Sequence, residues 1–200
     1  ALFIDLEFNN LGAGSQGGLF RSAWFEGVNS TLQSLNIMGN NLLGLEVNAF
    51  SNLRNLAWLD MTANPLYTVS ESSFNGLSNM RDLYLIQCEL SNLRPTWFRD
   101  MPILEELHLE FNGIRELPDG IFANLDSLAN LYLGYNNLTQ CSIAPIGETA
   151  FNIEVLSLTQ NQVLSLEPAL FDKLENVNSI EMSGNICSNQ NIVNIQQNRD

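Results

Sequence analysis

Positive charge is scarce in this chain. Eight Lys and Arg stand against 22 Asp and Glu in 200 residues, a formal net charge of −14. That balance argues against nucleic acid as a partner, because such affinity comes largely from Lys and Arg on phosphates. It also disfavours anionic membrane surfaces and favours a cationic or positively patched partner. Long apolar runs are missing as well. Nothing approaches the ~18 residues needed to span a bilayer, so no membrane insertion is expected of this segment. No nucleophile with an oriented base and no Gly-rich phosphate loop is recognisable, so no catalytic residue, metal or cofactor is expected.

What the chain has in abundance is one phrase. Its clearest copy runs Leu104-x-x-Leu107-x-Leu109-x-x-Asn112-x-Ile114-x-x-Leu117-Pro118, followed by Phe122 and Leu125. The second Leu falls at Ile4, Leu35, Leu59, Leu83, Leu107, Leu131, Leu156 and Ile180, and subtraction gives spacings of 31, 24, 24, 24, 24, 25 and 24. The alternation around that Leu is a strand signature. One strand per unit predicts a parallel sheet, with leucines inward and variable residues facing solvent. The following Asn supplies both donor and acceptor to buried backbone where the chain turns away. Asn9, Asn40, Asn64, Asn112, Asn136, Asn161 and Asn185 are therefore predicted to stack as a ladder, and Phe50, Phe74, Phe98, Phe122 and Phe171 as a second spine.

The cysteines follow the same register. Cys88 takes a ladder-Asn position, Cys141 the place of Leu93 and Leu117, and Cys187 the place of Leu90 and Ile114. All three read as buried thiols behaving as small hydrophobes. The rival reading pairs Cys187 with a cysteine beyond Asp200. Two segments depart from the phrase. Gly12–Gly18 is Gly-rich and reads as a mobile loop, and Gln140–Ala150 accompanies the single 25-residue spacing. The chain starts inside a unit, and the polar caps a solenoid needs are not visible. The segment therefore reads as a processed product or a piece of something longer.

At 24 residues the phrase resembles the typical subtype of the leucine-rich repeat family, over nearly the whole chain from Leu2 to Asn185. The expected fold is an α/β-type solenoid dominated by short parallel strands, a single domain over residues 1–200. More fully, it is a right-handed leucine-rich repeat horseshoe of about eight repeats, with a concave parallel sheet and an irregular, 3-10 convex side. The resemblance implies an extracellular setting of the kind found in Toll-like receptor ectodomains, matrix proteoglycans, neuronal adhesion proteins and arthropod immune proteins. The Cys-rich N-terminal cap of the complete extracellular pattern is missing, and no ligand residue carries over.

The variable positions assemble into columns ~4.8 Å apart, one strand spacing. The central column reads Asp5, Asn36, Asp60, Tyr84, His108, Tyr132, Ser157, Glu181. With its neighbours it gathers Trp58, Tyr84, Ile86, Phe111, Tyr132 and Tyr135 inside a frame of Asp60, Asp82, Glu106 and Glu110. Aromatic anchors with a charged rim are what a protein-binding hot spot needs; cross-strand stacking for stability is the plainer alternative. Glu106, His108 and Glu110 alternate along one strand and could serve a zinc ion or a general base. Alternate residues on a flat strand diverge, so the preferred reading is a His held between acids. Nine acids (Asp5, Glu7, Asp60, Asp82, Glu105, Glu106, Glu110, Glu154, Glu181) and one base (Arg81) fall on or beside this face, nine minus one giving −8.

Two sequons, Asn29-Ser30-Thr31 and Asn137-Leu138-Thr139, are acceptor patterns for N-linked glycan. The first functional reading is an extracellular recognition module of innate immune or adhesion type, gripping a protein or peptide partner. The second is an intracellular acidic scaffold or inhibitor that masks a basic protein.

Overall fold

The computed structural model of the protein describes residues 1–14, 16–141, 145, 152–174 and 176–186. In chain order the strands are β1 (Leu2–Asp5), β2 (Leu19–Phe20), β3 (Leu32–Asn36), β4 (Gly44–Leu45), β5 (Trp58–Asp60) and β6 (Asp82–Tyr84). They continue as β7 (Glu106–His108), β8 (Asn130–Tyr132), β9 (Gln140–Cys141), β10 (Val155–Ser157), β11 (Ser165–Leu166) and β12 (Ser179–Glu181). Eight of them form one parallel sheet in the order β1-β3-β5-β6-β7-β8-β10-β12. Its register aligns Ile4, Leu35, Leu59, Leu83, Leu107, Leu131, Leu156 and Ile180, the same eight anchors the period picks out.

Alternation explains why these short segments hold. Leu59 and Met61 are fully buried while Trp58 and Asp60 flank them half-exposed, and the pattern recurs around Leu83 and Leu107. Each unit alone could not bury its leucines; stacking completes a continuous core. Ile4 and Ile180, whose strands are paired on one side among the described residues, are only partly buried. Among the described residues the connections between these strands carry the short parallel pairs β2–β4 and β9–β11, turns, 3-10 pieces and two short helices, α1 (Leu11–Gly14) and α2 (Pro168–Lys173). Phrases such as Leu117-Pro118-Asp119-Gly120 forbid longer helices there.

The Asn ladder is present and regular. Asn64 Oδ1 accepts from the Asn40 and Leu42 amides, both at 3.0 Å, and its Nδ2 donates to the Ile37 and Met61 carbonyls at 2.9 and 2.8 Å. Asn112, Asn136 and Asn161 repeat the pattern across successive units. Asn9 does not fit it. Its exposed side-chain amide donates to the Glu7 carbonyl two residues back. Cys88 imitates the donor half, with Sγ 3.2 Å from the Met61 carbonyl, and offers no acceptor. Leu66 N turns instead to the Cys88 backbone carbonyl at 3.0 Å. The thiol is fully buried, and burial pushes its pKa up to about 12. The side chain of Cys141 and all of Cys187 lie outside the described residues.

The Phe spine runs further toward the N-terminus than expected. Phe20, Phe50, Phe74, Phe98 and Phe122 are all buried, with successive ring centroids 4.7, 5.9, 6.4 and 6.4 Å apart. Trp97 joins them where other units carry Ala49, Ser73 and Ile121. Its Nε1 donates to the Ser70 carbonyl at 3.0 Å across the small Ser73. The side chain of Phe171 is outside the description. Within the Gly-rich stretch, Gly12–Gly14 complete α1 and Gln16–Gly18 form a 3-10 turn. A Cβ on Gly12 would lie 1.9 Å from the Asn41 carbonyl oxygen, so glycine there permits close backbone packing.

Candidate functional site

The solvent-facing side of the sheet carries an ordered strip of rings. Tyr84, His108 and Tyr132 occupy equivalent places on β6, β7 and β8. Their rings stack with centroids 4.4 and 4.3 Å apart and planes within 15° and 14°. Trp58, one column over, leans on Tyr84 at 5.6 Å, and Phe3 meets Trp58 edge-on at 6.4 Å. A parallel sheet brings equivalent residues to about one strand spacing, ~4.8 Å, which suits flat side chains. Trp58, Tyr84, Tyr132 and Ile86 are consequently half-buried against their neighbours rather than fully exposed. The cross-strand stacking set beside the binding reading is a fact of the molecule. Phe3 was legible as a member of Trp58's column, but its distance from the cluster, across Ser34, hid its contact.

His108 is the centre of the strip. Its Nε2 lies 2.7 Å from Glu106 Oε1 and its Nδ1 3.0 Å from Glu110 Oε1. The carboxylates of alternate residues converge because the flat imidazole lies along the strand between them. Two carboxylate partners require both ring nitrogens to carry protons. Burial alone would lower the His108 pKa; the hydrogen bonds it donates to Glu110 and Glu106 outweigh it, and the net direction is upward from 6.5. With both ring nitrogens protonated and bonded to carboxylates, neither offers a lone pair to a metal or a substrate. The remaining oxygen, Glu110 Oε2, is buried without a hydrogen-bond partner.

Negative charge dominates the surroundings. Burial, then Glu106 and Glu105, raise the Asp82 carboxyl above its ordinary value. Tyr84 is raised by burial, then Glu106 and Asp82; Tyr132 by burial, then Glu106 and Glu181. Asp60 stands in the Tyr84 column and anchors a turn, its Oδ1 accepting from Thr62 N at 2.8 Å. Arg81, the one base counted beside this face, is committed to an ion pair with Glu105.

Phe111 and Tyr135 form a separate pair at the strand ends, stacked at 4.2 Å with planes 9° apart. They are 52% and 51% exposed, well above the strip's members. Their column, Phe8, Gly39, Ala63, Gln87, Phe111, Tyr135, Gln160 and Gly184, has positive φ in every unit, between 53 and 76°. This left-handed residue swings the chain so that the next one, the ladder Asn, points inward. The conformation costs a non-Gly residue about 1–2 kcal/mol. Glycine fills it in two units, yet two large aromatics occupy it side by side. Of the sequons, Asn29 is half-buried and Asn137 exposed.

A leucine rich repeat model matches residues 19–66, 30–90, 62–114 and 104–145 of the sequence. The chain belongs to the leucine-rich repeat family. No curated protein matches it. Among solved structures it is similar to Drosophila Toll in complex with Spatzle, at 21% identity and a TM-score of 0.74 over 84% of this chain. It is also similar to human 5T4 (24%, 0.69, 92%) and to mouse RP105 with MD-1 (25%, 0.70, 80%). This leucine-rich repeat segment spans 22% of the Toll chain, 68% of 5T4 and 27% of RP105. Among its described residues, no helix is long and apolar enough to cross a membrane.

Proposed function

We propose that the chain is a non-enzymatic recognition module working outside the cell, in an innate immune or adhesion setting. It holds a protein or peptide partner of basic character against the sheet face. The observation that carries this reading is the strip from Trp58 to Tyr132, rings stacked across strands in front of a core the leucines already fill. Asp60, Asp82, Glu106 and Glu110 frame it, with Ile86 beside them and the Phe111–Tyr135 pair at the border. Rings locked by stacking lose little freedom on binding, and buried aromatic anchors carry most of the energy at protein interfaces. The acidic frame steers a cationic surface and repels nucleic acid. Toll and RP105 were solved with the protein partners Spatzle and MD-1, which supports the class of ligand.

The test uses a Lys- and Arg-rich peptide as probe and reads its association rate across ionic strength. Association should slow as the screening length falls below ~10 Å. Tyr84→Ala with Tyr132→Ala should weaken binding by at least ~2 kcal/mol while the fold survives. A flat salt dependence together with unchanged affinity in the double variant refutes the reading.

A further inference from the structure

We infer that Asn137 carries an N-linked glycan and that the stacked Phe111–Tyr135 pair is the platform on which its first sugars pack. The inference rests on the extracellular part of the reading above. Of the two sequons, the fold favours this one. Asn29 is half-buried, and its Thr31 hydroxyl is tied to the Val28 carbonyl at 3.1 Å. Asn137 and Thr139 are both exposed, while the intervening Leu138 is fully buried and pins the segment. The Asn137 amide N–H donates to the Ile114 carbonyl at 2.7 Å, which fixes the backbone and leaves the side chain outside.

The neighbouring unit leaves room for a sugar. In the same column near the N-terminus, Asn41 Nδ2 reaches back one unit to Asn10 Oδ1 at 2.8 Å. Behind Asn137 the corresponding residue is Gly113, whose absent Cβ would meet nothing within 4 Å. On the side of the preceding unit Asn137 therefore has no side chain to bond, and open space lies there instead; Gln162 holds the equivalent place in the following unit. Tyr135 and Asn137 flank the inward-pointing Asn136, so both project outward, and Phe111 stands beside Gly113 in the same way. The aromatic pair, half-exposed in a strained backbone conformation, lies two residues before Gly113 and Asn137 on the same two turns. Stacking covers the sides of the two rings that face each other, so a pyranose C–H face packs on an outer ring face, whose electron-rich surface is complementary to it. The donor is a lipid-linked oligosaccharyl diphosphate with an N-acetylhexosamine at its reducing end. Asn137 Nδ2 bonds to C1 of that sugar and loses a proton, the C1–O bond breaks, and the diphosphate leaves with the electron pair.

The experiment expresses the chain through a secretory pathway and maps glycopeptides by mass spectrometry. Wild type should carry a glycan at Asn137, and Thr139→Ala should lose its mass. The glycosylated protein should melt higher than Thr139→Ala, and Phe111→Ser with Tyr135→Ser should abolish that difference without removing the glycan. Where a variant is not secreted, translation into microsomes reads occupancy. A glycan at Asn29 with Asn137 bare overturns the inference and leaves the extracellular reading standing. Both sites bare, in protein from its own source as well, overturns both. An undiminished melting difference in the aromatic variant overturns the platform.

Discussion

Replacing Asn112 by Leu tests the ladder where it is best defined. Asn112 is 4% exposed; its Oδ1 accepts from the Cys88 and Leu90 amides at 2.8 and 3.2 Å. Its Nδ2 donates to the Leu85 and Leu109 carbonyls at 2.7 and 3.0 Å. Leucine keeps the volume and removes every one of these bonds. The Leu109 carbonyl keeps a partner in Asn136 Nδ2 at 2.9 Å, so the main loss is two buried amides and the Leu85 carbonyl. A buried unsatisfied group costs ~1–3 kcal/mol, and the added apolar side chain returns ~1–2 kcal/mol. Three such groups cost ~3–9 kcal/mol, so the expected net destabilisation is about 1–8 kcal/mol, with a midpoint of about 4–5 kcal/mol. Asn36→Ala is the control. Asn36 is half-exposed, with bonds only to Glu7 Oε2 and the Met38 amide, which water can replace. Urea unfolding followed by circular dichroism measures both. If Asn36→Ala costs as much as Asn112→Leu, the assignment of buried backbone partners is wrong.

Because the His108 pKa is raised on folding, its contribution to stability is fully present below the unfolded value near 6.5. It is lost as pH rises through the higher folded value. The stability difference between wild type and His108→Gln should shrink from pH 6 toward alkaline pH, and a difference that grows would refute the doubly bonded imidazolium. The Cys88 thiol, buried with a pKa of about 12, should resist alkylation at pH 8 until the chain unfolds. Peptide-resolved labelling would expose the error if Cys88 modified readily in native protein.

The eight anchors and every column of the sheet were legible because side-chain period and repeat length fix them independently. Leu59 is inward and Asp60 outward whatever the rest of the chain does. The ladder was legible for a similar reason, since an Asn at a fixed offset from buried leucines has only backbone to bond. Cys88 was placed correctly by register alone. Ring orientation was not legible. The columns put Tyr84, His108 and Tyr132 in line, but whether rings stack or splay depends on rotamers that sequence spacing does not encode. Phe20 and Trp97 escaped notice because each breaks the phrase. One lies in the 31-residue unit, the other stands where a small residue is usual. The left-handed turn residue was masked by its variety, since Phe8, Ala63, Gln87 and Tyr135 share no chemistry with the glycines that reveal it.

Cys88 also bears on how the molecule comes apart. Each ladder Asn grips the unit before it through both donor and acceptor, so the array behaves as beads joined by two-way clasps. At the link between Asn64 and Cys88 the clasp is one-way, since the thiol gives a hydrogen bond but no side-chain oxygen returns one to the Asn64 amide. In a one-dimensional array, cooperativity is carried by such nearest-neighbour couplings. Among the described ladder links this is one that lacks a side-chain acceptor, so it separates a segment before Cys88 from one after. Under denaturant the two segments are expected to lose their coupling more readily than segments joined by a ladder Asn.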